Sequence, residues 1–197
     1  QAVPGTERFA VGDVDLPPVD VRISLPGIDL FHAHVRDRET VHVDDPDLLV
    51  RFGPPGPALL LTAHYDTVEG SPGAADNAVA VGLLVELARE LRAHPPAHPV
   101  LLAFTADEEG GLAGAEALAE RRHDIGFAVA LDLVGGSGDL VLNGASTLIG
   151  TSEMRWLAAA ADRAGVIIRA PLPHRVVILW WPQAERSDHG PFTRRGI

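Results

Sequence analysis

Ala58-Leu59-Leu60-Leu61-Thr62-Ala63-His64-Tyr65-Asp66 is the stretch that decides the fold. Its first six residues are uncharged, too few for a helix and almost uniformly apolar. Such a run is the mark of a strand covered on both faces. Strands of that kind belong to largely parallel sheets, which bind ligands in the crevice at the strands' carboxyl ends. His64, Tyr65 and Asp66 follow directly, so an imidazole and a carboxylate are delivered to that edge.

Working outward, the same grammar repeats. Ala78–Ala93 sets Val81, Leu84, Val85, Ala88 and Leu91 at helical spacing, and His94–Pro99 ends the helix. Val100–Thr105 reads as a second buried strand, Leu112–Arg122 as a helix, and Phe127–Val134 and Asp139–Asn143 as strands. Ser152–Ala164 is helical with Gly165 as its stop, and Met154, Trp156 and Leu157 are assigned to its core face. Val176–Trp181 is strand-like, and its two tryptophans either wall a pocket or simply pack. Upstream, Val21–Leu25, Leu30–Val35, Thr40–Val43 and Leu48–Phe52 suggest antiparallel strands joined by tight turns. Residues 1–20, rich in Pro and acid, read as an N-terminal arm. Strand alternating with helix from residue 58 specifies an α/β fold: one domain over residues 21–197, with a mixed, mostly parallel central β-sheet and helices on both faces.

Composition narrows the chemistry. The chain has 197 residues, enough for one substantial core, with 27 acidic side chains against 16 basic ones and a formal charge of −11. That excess argues against nucleic acid as a partner, since phosphate binding needs a basic face, and against an anionic membrane surface. No apolar run is long enough to cross a bilayer, so no membrane insertion by this segment is expected. Every basic residue is Arg, which removes lysine Schiff-base chemistry. Cysteine is absent, which excludes disulfides, thiolate metal sites and cysteine nucleophiles. Any metal must therefore be held by His and carboxylate. The ends at Gln1 and Ile197 both read as cuts in a longer chain.

Polar residues gather at the predicted strand ends. The strand over Ala58–Ala63 leads into His64 and Asp66, the strand over Val100–Thr105 into Glu108 and Glu109, and the third into Asp132; Asp76 stands just ahead of a helix. A single acid after a strand is more often a cap or turn former. Five carboxylates on one edge repel one another unless a cation neutralises them, so a metal cluster is the economical reading. Imidazole with carboxylate suits zinc, and a shared carboxylate can bridge two ions. His64 and Asp66, two residues apart on an extended segment, share a side, so Asp66 can orient the imidazole. Adjacent Glu108 and Glu109 point differently, allowing one to bind metal while the other serves as general base. The histidines at 32, 34, 42, 94, 98 and 123 read as solvated. His189 stands apart in the compact Ser187-Asp188-His189-Gly190-Pro191-Phe192.

Five blocks, His64-Tyr65-Asp66-Thr67, Gly73-Ala74-Ala75-Asp76-Asn77-Ala78, Asp107-Glu108-Glu109-Gly110, Asp132-Leu133-Val134-Gly135 and Ser187 to Phe192, resemble the M28 family of zinc metallopeptidases in composition and order. The resemblance spans residues 58–197. It implies two Zn²⁺ ions: Asp76 bridging, His64 and Asp132 completing one site, Glu109 and His189 the other. It further implies Glu108 as general base, Asp66 steering His64, and hydrolysis of peptide substrates as an aminopeptidase. It also implies an extracytoplasmic setting and a closing strand and helix beyond Ile197. A tyrosine that the family places between the third acid and the final histidine block is absent; Ser187, Arg186, His174 and Asn143 are the candidates for its oxyanion role.

Three other readings share parts of this pattern. An M20-like amidohydrolase or carboxypeptidase has a longer gap before its bridging Asp and an inserted domain, whereas Asp76 follows His64 closely here. A glutaminyl-cyclase-like acyltransferase would need only one zinc. A receptor-like ectodomain without activity would tend to lose ligands or the base, and all six positions are present.

Overall fold

The computed structural model describes residues 6–25, 28–135, 140–141, 152–169 and 187–197. The chain forms two compact units, one of Gln1–Pro17, Arg38–Gly135 and Arg186–Ile197, the other of Pro18–Asp37 and Gly136–Glu185. The candidate metal ligands, the candidate base Glu108 and Asp66 all lie in the first, whereas the oxyanion candidates Asn143 and His174 belong to the second.

The first unit is built on a five-stranded sheet of β1 (Thr6–Phe9), β6 (Asp47–Phe52), β8 (Val100–Thr105), β7 (Ala58–His64) and β9 (Ile125–Ala130), in that spatial order. β7 pairs in parallel with both β8 and β9, while β6 joins β8 and β1 joins β6 antiparallel. The parallel half thus carries three strand carboxyl ends to one edge. A ribbon of β2 (Gly12–Leu16) and β5 (Glu39–Val43) also belongs to this unit.

Alternation sorts the core. Ala58 and Leu60 of β7 join Leu101 and Ala103 of β8 on one face, under Ala115 and Leu118 of α3 (Ala113–Arg121) and Phe192 of α5 (His189–Arg194). Ala63 and Leu102 emerge on the other face, under Ala80 and Leu84 of α1 (Val79–Ala93). Burial on both faces is what the uninterrupted apolar runs encode. Each large side chain sealed this way contributes about 1.5–3 kcal/mol. On α1 the packed stripe is Ala80, Val81, Leu84, Leu87, Ala88 and Leu91, whereas Val85 is 37% exposed. The expected stripe was thus right in pitch and wrong about one member.

Residues 6–16, read from sequence as part of an arm, are strands. Thr6–Phe9 pairs with Asp47–Val50, and Val11, Val14 and Leu16 are buried with Ala106, Ala113 and Ala117. Their intervening acids face outward and masked the alternation.

The second unit contains the antiparallel pair β3 (Val19–Leu25) and β4 (Ile28–Arg36), α4 (Ser152–Arg163), and a short parallel pair, β10 (Leu140–Val141) with β11 (Ile168–Arg169). Trp156 is 53% exposed rather than in a core. The less exposed stripe of α4 is Leu157, Ala160 and Ala161, at the three- and four-residue spacing of one helix face, and Trp156 points about 100° away from it. The predicted strand over 176–181, with Trp180 and Trp181, and His174, Asn143 and Arg186 lie outside the described residues. Among the described residues no helix is long and apolar enough to cross a membrane.

Candidate metal centre

His64 ends β7 and is 2% exposed. Its Nδ1 lies 3.1 Å from the backbone oxygen of Asp66 and 3.5 Å from Asp66 Oδ1. That leaves Nε2 facing the crevice, 3.2 Å from Asp76 Oδ1 and 3.8 Å from Asp132 Oδ1. Nε2 and Asp132 Oδ1 are buried, yet neither has a hydrogen-bond partner among the described residues. Burial lowers the imidazole's proton affinity, but the surrounding Asp132, Asp66 and Glu108 carboxylates carry its pKa up to about 11. Asp132 is held below the usual carboxylate range by His64, with Ser187 hydrogen bonding to it as well.

Asp76 sits in the Ala74–Ala78 turn that opens α1. It makes no capping hydrogen bond, which sets aside the helix-cap alternative; its carboxylate approaches His64 instead. Asn77 pins this turn, donating from Nδ2 to the Leu131 oxygen at 2.9 Å beside Asp132.

Glu108 and Glu109 open α2 (Glu108–Gly111), which follows Asp107 in the left-handed region at φ 55°. Asp66 reaches across to this turn. Its Oδ1 accepts the Glu108 N–H and its Oδ2 the Glu109 N–H, both at 3.1 Å. Asp66 therefore fixes the acidic pair as well as His64, and these contacts help hold its own carboxyl below the ordinary range even though burial opposes them. Glu108 is partly buried, and burial, reinforced by Asp188, pushes its pKa up to about 8. Glu109 is exposed, and its pKa is raised by what burial it has and by Asp76.

Donor atoms of His64, Glu108 and Asp132 lie within 4.8 Å of one another, the arrangement that could hold an ion among the described residues. Asp76 stands at its open side. The buried, unsatisfied Nε2 and Oδ1 with this imidazole–carboxylate set fit a zinc ion. His189, at the start of α5, contributes to the field that lowers the Asp132 pKa.

Three groups that sequence reasoning passed over support the site. Asp188 is buried, and its Oδ2 accepts hydrogen bonds from Thr105 Oγ1 at 2.5 Å and Thr62 Oγ1 at 3.2 Å. Burial lifts its pKa to about 6. Glu116 of α3, also buried, takes both Arg194 and Arg195 and thereby anchors α5. Asp47 is wholly buried behind the Glu108 turn. Threonines at alternate, inward positions near two strand ends were the available signal for the first of these.

The sequence model of peptidase family M28 matches residues 50–197. Aminopeptidase YwaD of Bacillus subtilis is 34% identical over 150 residues, covering 70% of this chain and 30% of that protein. The chain thus spans under a third of that relative's length. Among solved structures, BSAP, a zinc aminopeptidase from Bacillus subtilis, aligns over 82% of this chain and 40% of its own, with a TM-score of 0.65 at 22% identity. A glutaminyl cyclase from an Acidobacteriales bacterium aligns over 92% of this chain and 61% of its own, with a TM-score of 0.57 at 20% identity. Likeness at that identity establishes the shared fold, which hosts more than one chemistry.

Proposed function

This chain belongs to peptidase family M28, and from that premise we propose that it is a zinc-dependent aminopeptidase hydrolysing peptide bonds with Glu108 as general base. The observation that carries the reading is the buried His64 imidazole, its Nε2 unsatisfied and ringed by Asp76, Asp132 and Glu108. Asp76, His64, Asp132, Glu109 and His189 would hold two zinc ions, with Asp76 shared between them.

Bound zinc supplies Lewis-acid polarisation of the scissile carbonyl and makes water acidic near neutral pH. The chain's own residues do the rest. Asp66 fixes the Nδ1 side of His64, so that Nε2 faces the crevice. The Glu108 carboxylate takes a proton from the attacking water and returns it to the leaving amine as the C–N bond breaks, and its partial burial strengthens its hold on that proton. Ser187, beside Asp132, is the described candidate for contact with the developing oxyanion. The family and the aminopeptidase relative support a peptide as substrate.

The test is zinc content after dialysis together with hydrolysis of aminoacyl anilides by wild type and Glu108→Ala. Two zincs per chain in both proteins, with activity lost only in the variant, is the expected result. Full activity in Glu108→Ala refutes the assignment of the base. Turnover of N-terminal glutamine to a cyclic product without anilide cleavage would select the glutaminyl-cyclase reading instead.

A further inference from the structure

Past Thr105 the β8 chain leaves the sheet, and the residues that follow carry Glu108. The last backbone register pair between β6 and β8 is Leu48 with Phe104. One step beyond, a side chain takes over: Asp47 Oδ1 accepts the N–H of Ala106 at 2.9 Å, wholly inside the protein. The Ala106 oxygen accepts the Gly114 N–H at 3.0 Å, and the Asp107 oxygen accepts the Ala113 N–H at 3.1 Å. Asp107 and Leu112 bracket α2 in the left-handed region, at φ 55° and 67°. Asp, like Asn and Gly, visits that region readily, whereas Leu112 adopts it only because its surroundings enforce it. Gly114 allows the carboxyl its place, for a Cβ there would collide with Asp47 Oδ1 and the Ala106 backbone.

We propose that Asp47 is a positioning residue for Glu108: its carboxyl clamps the Ala106 N–H from below while Asp66 clamps the Glu108 and Glu109 N–H groups from the crevice side. The inference rests on the reading of Glu108 as the base. Asp47 belongs to none of the five sequence blocks, and its hydrogen bond goes to the backbone rather than to the groups around His64, although the Asp188 and Asp66 charges act on it. It acts through the backbone, and the two clamps together hold the Ala106, Glu108 and Glu109 amides of the turn that carries the base. Burial raises the Asp47 pKa to about 8, against the opposing Ala106 hydrogen bond, and so favours the neutral carboxyl. A primary amide can therefore replace it.

The experiment compares zinc-loaded wild type, Asp47→Asn and Asp47→Leu in zinc content, in kcat and KM on an aminoacyl anilide, and in amide hydrogen exchange at Ala106, Glu108 and Glu109. Asparagine keeps the acceptor, and both exchange and kcat should stay within about threefold of wild type. Leucine has similar bulk without an acceptor. Exchange at the three amides should quicken at least tenfold and kcat fall about 10- to 100-fold, with KM within about twofold and zinc content unchanged, as expected for a misplaced but present base. If Asp47→Leu does not fold, Asp47→Ala is judged by the same thresholds. Unchanged exchange and kcat in the acceptor-less variant overturn the proposal. So does an asparagine variant as impaired as the leucine one. Should wild type bind zinc but cleave no anilide, the reading of the site fails, and the exchange measurement alone decides the clamp.

Discussion

Thr105→Val removes one hydroxyl from the dry layer beneath the site and changes almost nothing else. Thr105 and Thr62 are fully buried, their Oγ1 atoms are 3.3 Å apart, and both point to Asp188 Oδ2. The Thr105 bond, at 2.5 Å, is the shorter; without it Oδ2 keeps only Thr62 at 3.2 Å, and Asp188 Oδ1 already lacks a partner. A lost hydrogen bond to a buried ionised group costs about 1.5–3 kcal/mol, and to a neutral one about 1 kcal/mol. The penalty must therefore depend on pH. Asp188 has a folded pKa of about 6, above the unfolded 3.8, because burial disfavours its charge. A carboxyl raised on folding lends stability below its unfolded pKa, and that stability is lost as pH rises through the folded value. Valine destabilises the ionised form further, so the loss deepens between about pH 5 and pH 8. Urea unfolding in the presence of chelator should give a destabilisation of about 1 kcal/mol at pH 5 and about 2–3 kcal/mol at pH 8. At pH 8 this is a fall in Tm of roughly 4–12 °C for a chain of this size. Thr105→Ser, which keeps the donor, should show little pH dependence. A cost below about 0.5 kcal/mol at pH 8, or one that is the same at both pH values, refutes the account.

Two further outcomes follow from the same geometry. Glu116→Ala leaves Arg194 and Arg195 without their buried partner, and because both guanidinium groups reach solvent the cost should be about 1–3 kcal/mol by chemical unfolding, below that of a fully enclosed pair; an unmoved midpoint would show that α5 is held by Phe192 alone. Zinc binding to the chelated protein should release protons near pH 7.5, since His64, at about 11, must deprotonate to coordinate. Calorimetry in buffers of different ionisation enthalpy reads this directly, and a buffer-independent heat would count against His64 as a ligand.

The parts of the fold legible in the sequence are those whose signal is local. β8 was readable to the residue and β7 to within one because a run buried on both faces needs no partner to identify it. The groups at the ends of those strands could be named for the same reason: a parallel sheet sends every following residue to one edge, so His64, Glu108 and Asp132 meet although 68 residues separate the first from the last. β1 and β2 were hidden because their acids and the prolines flanking them suggest loop, and only pairing with residues more than twenty positions away makes them strands. Trp156 misled because helical spacing was taken for burial. Asp47 and Asp188 carry no signal of their own, for an acid declares itself buried only through donors 59 and 83 residues away.

The acids divide by depth, and the division explains how one sheet edge tolerates so many. Asp66 and Asp132, in reach of His64, are held ionised, whereas Glu108, Asp188 and Asp47, which burial dominates, have their pKa values pushed up to about 8, 6 and 8. These shifts favour a proton on His64 and raise the proton affinity of the deeper acids. A divalent cation at His64 Nε2 would displace the His64 proton and draw the neighbouring carboxylates toward their charged forms. Folding thus raises proton affinity at this edge, and cation binding lowers it. The threonines and backbone amides that partner Asp188 and Asp47 do for the deep layer what the cation does for the crevice, which is why removing one of them should weaken the fold as pH rises.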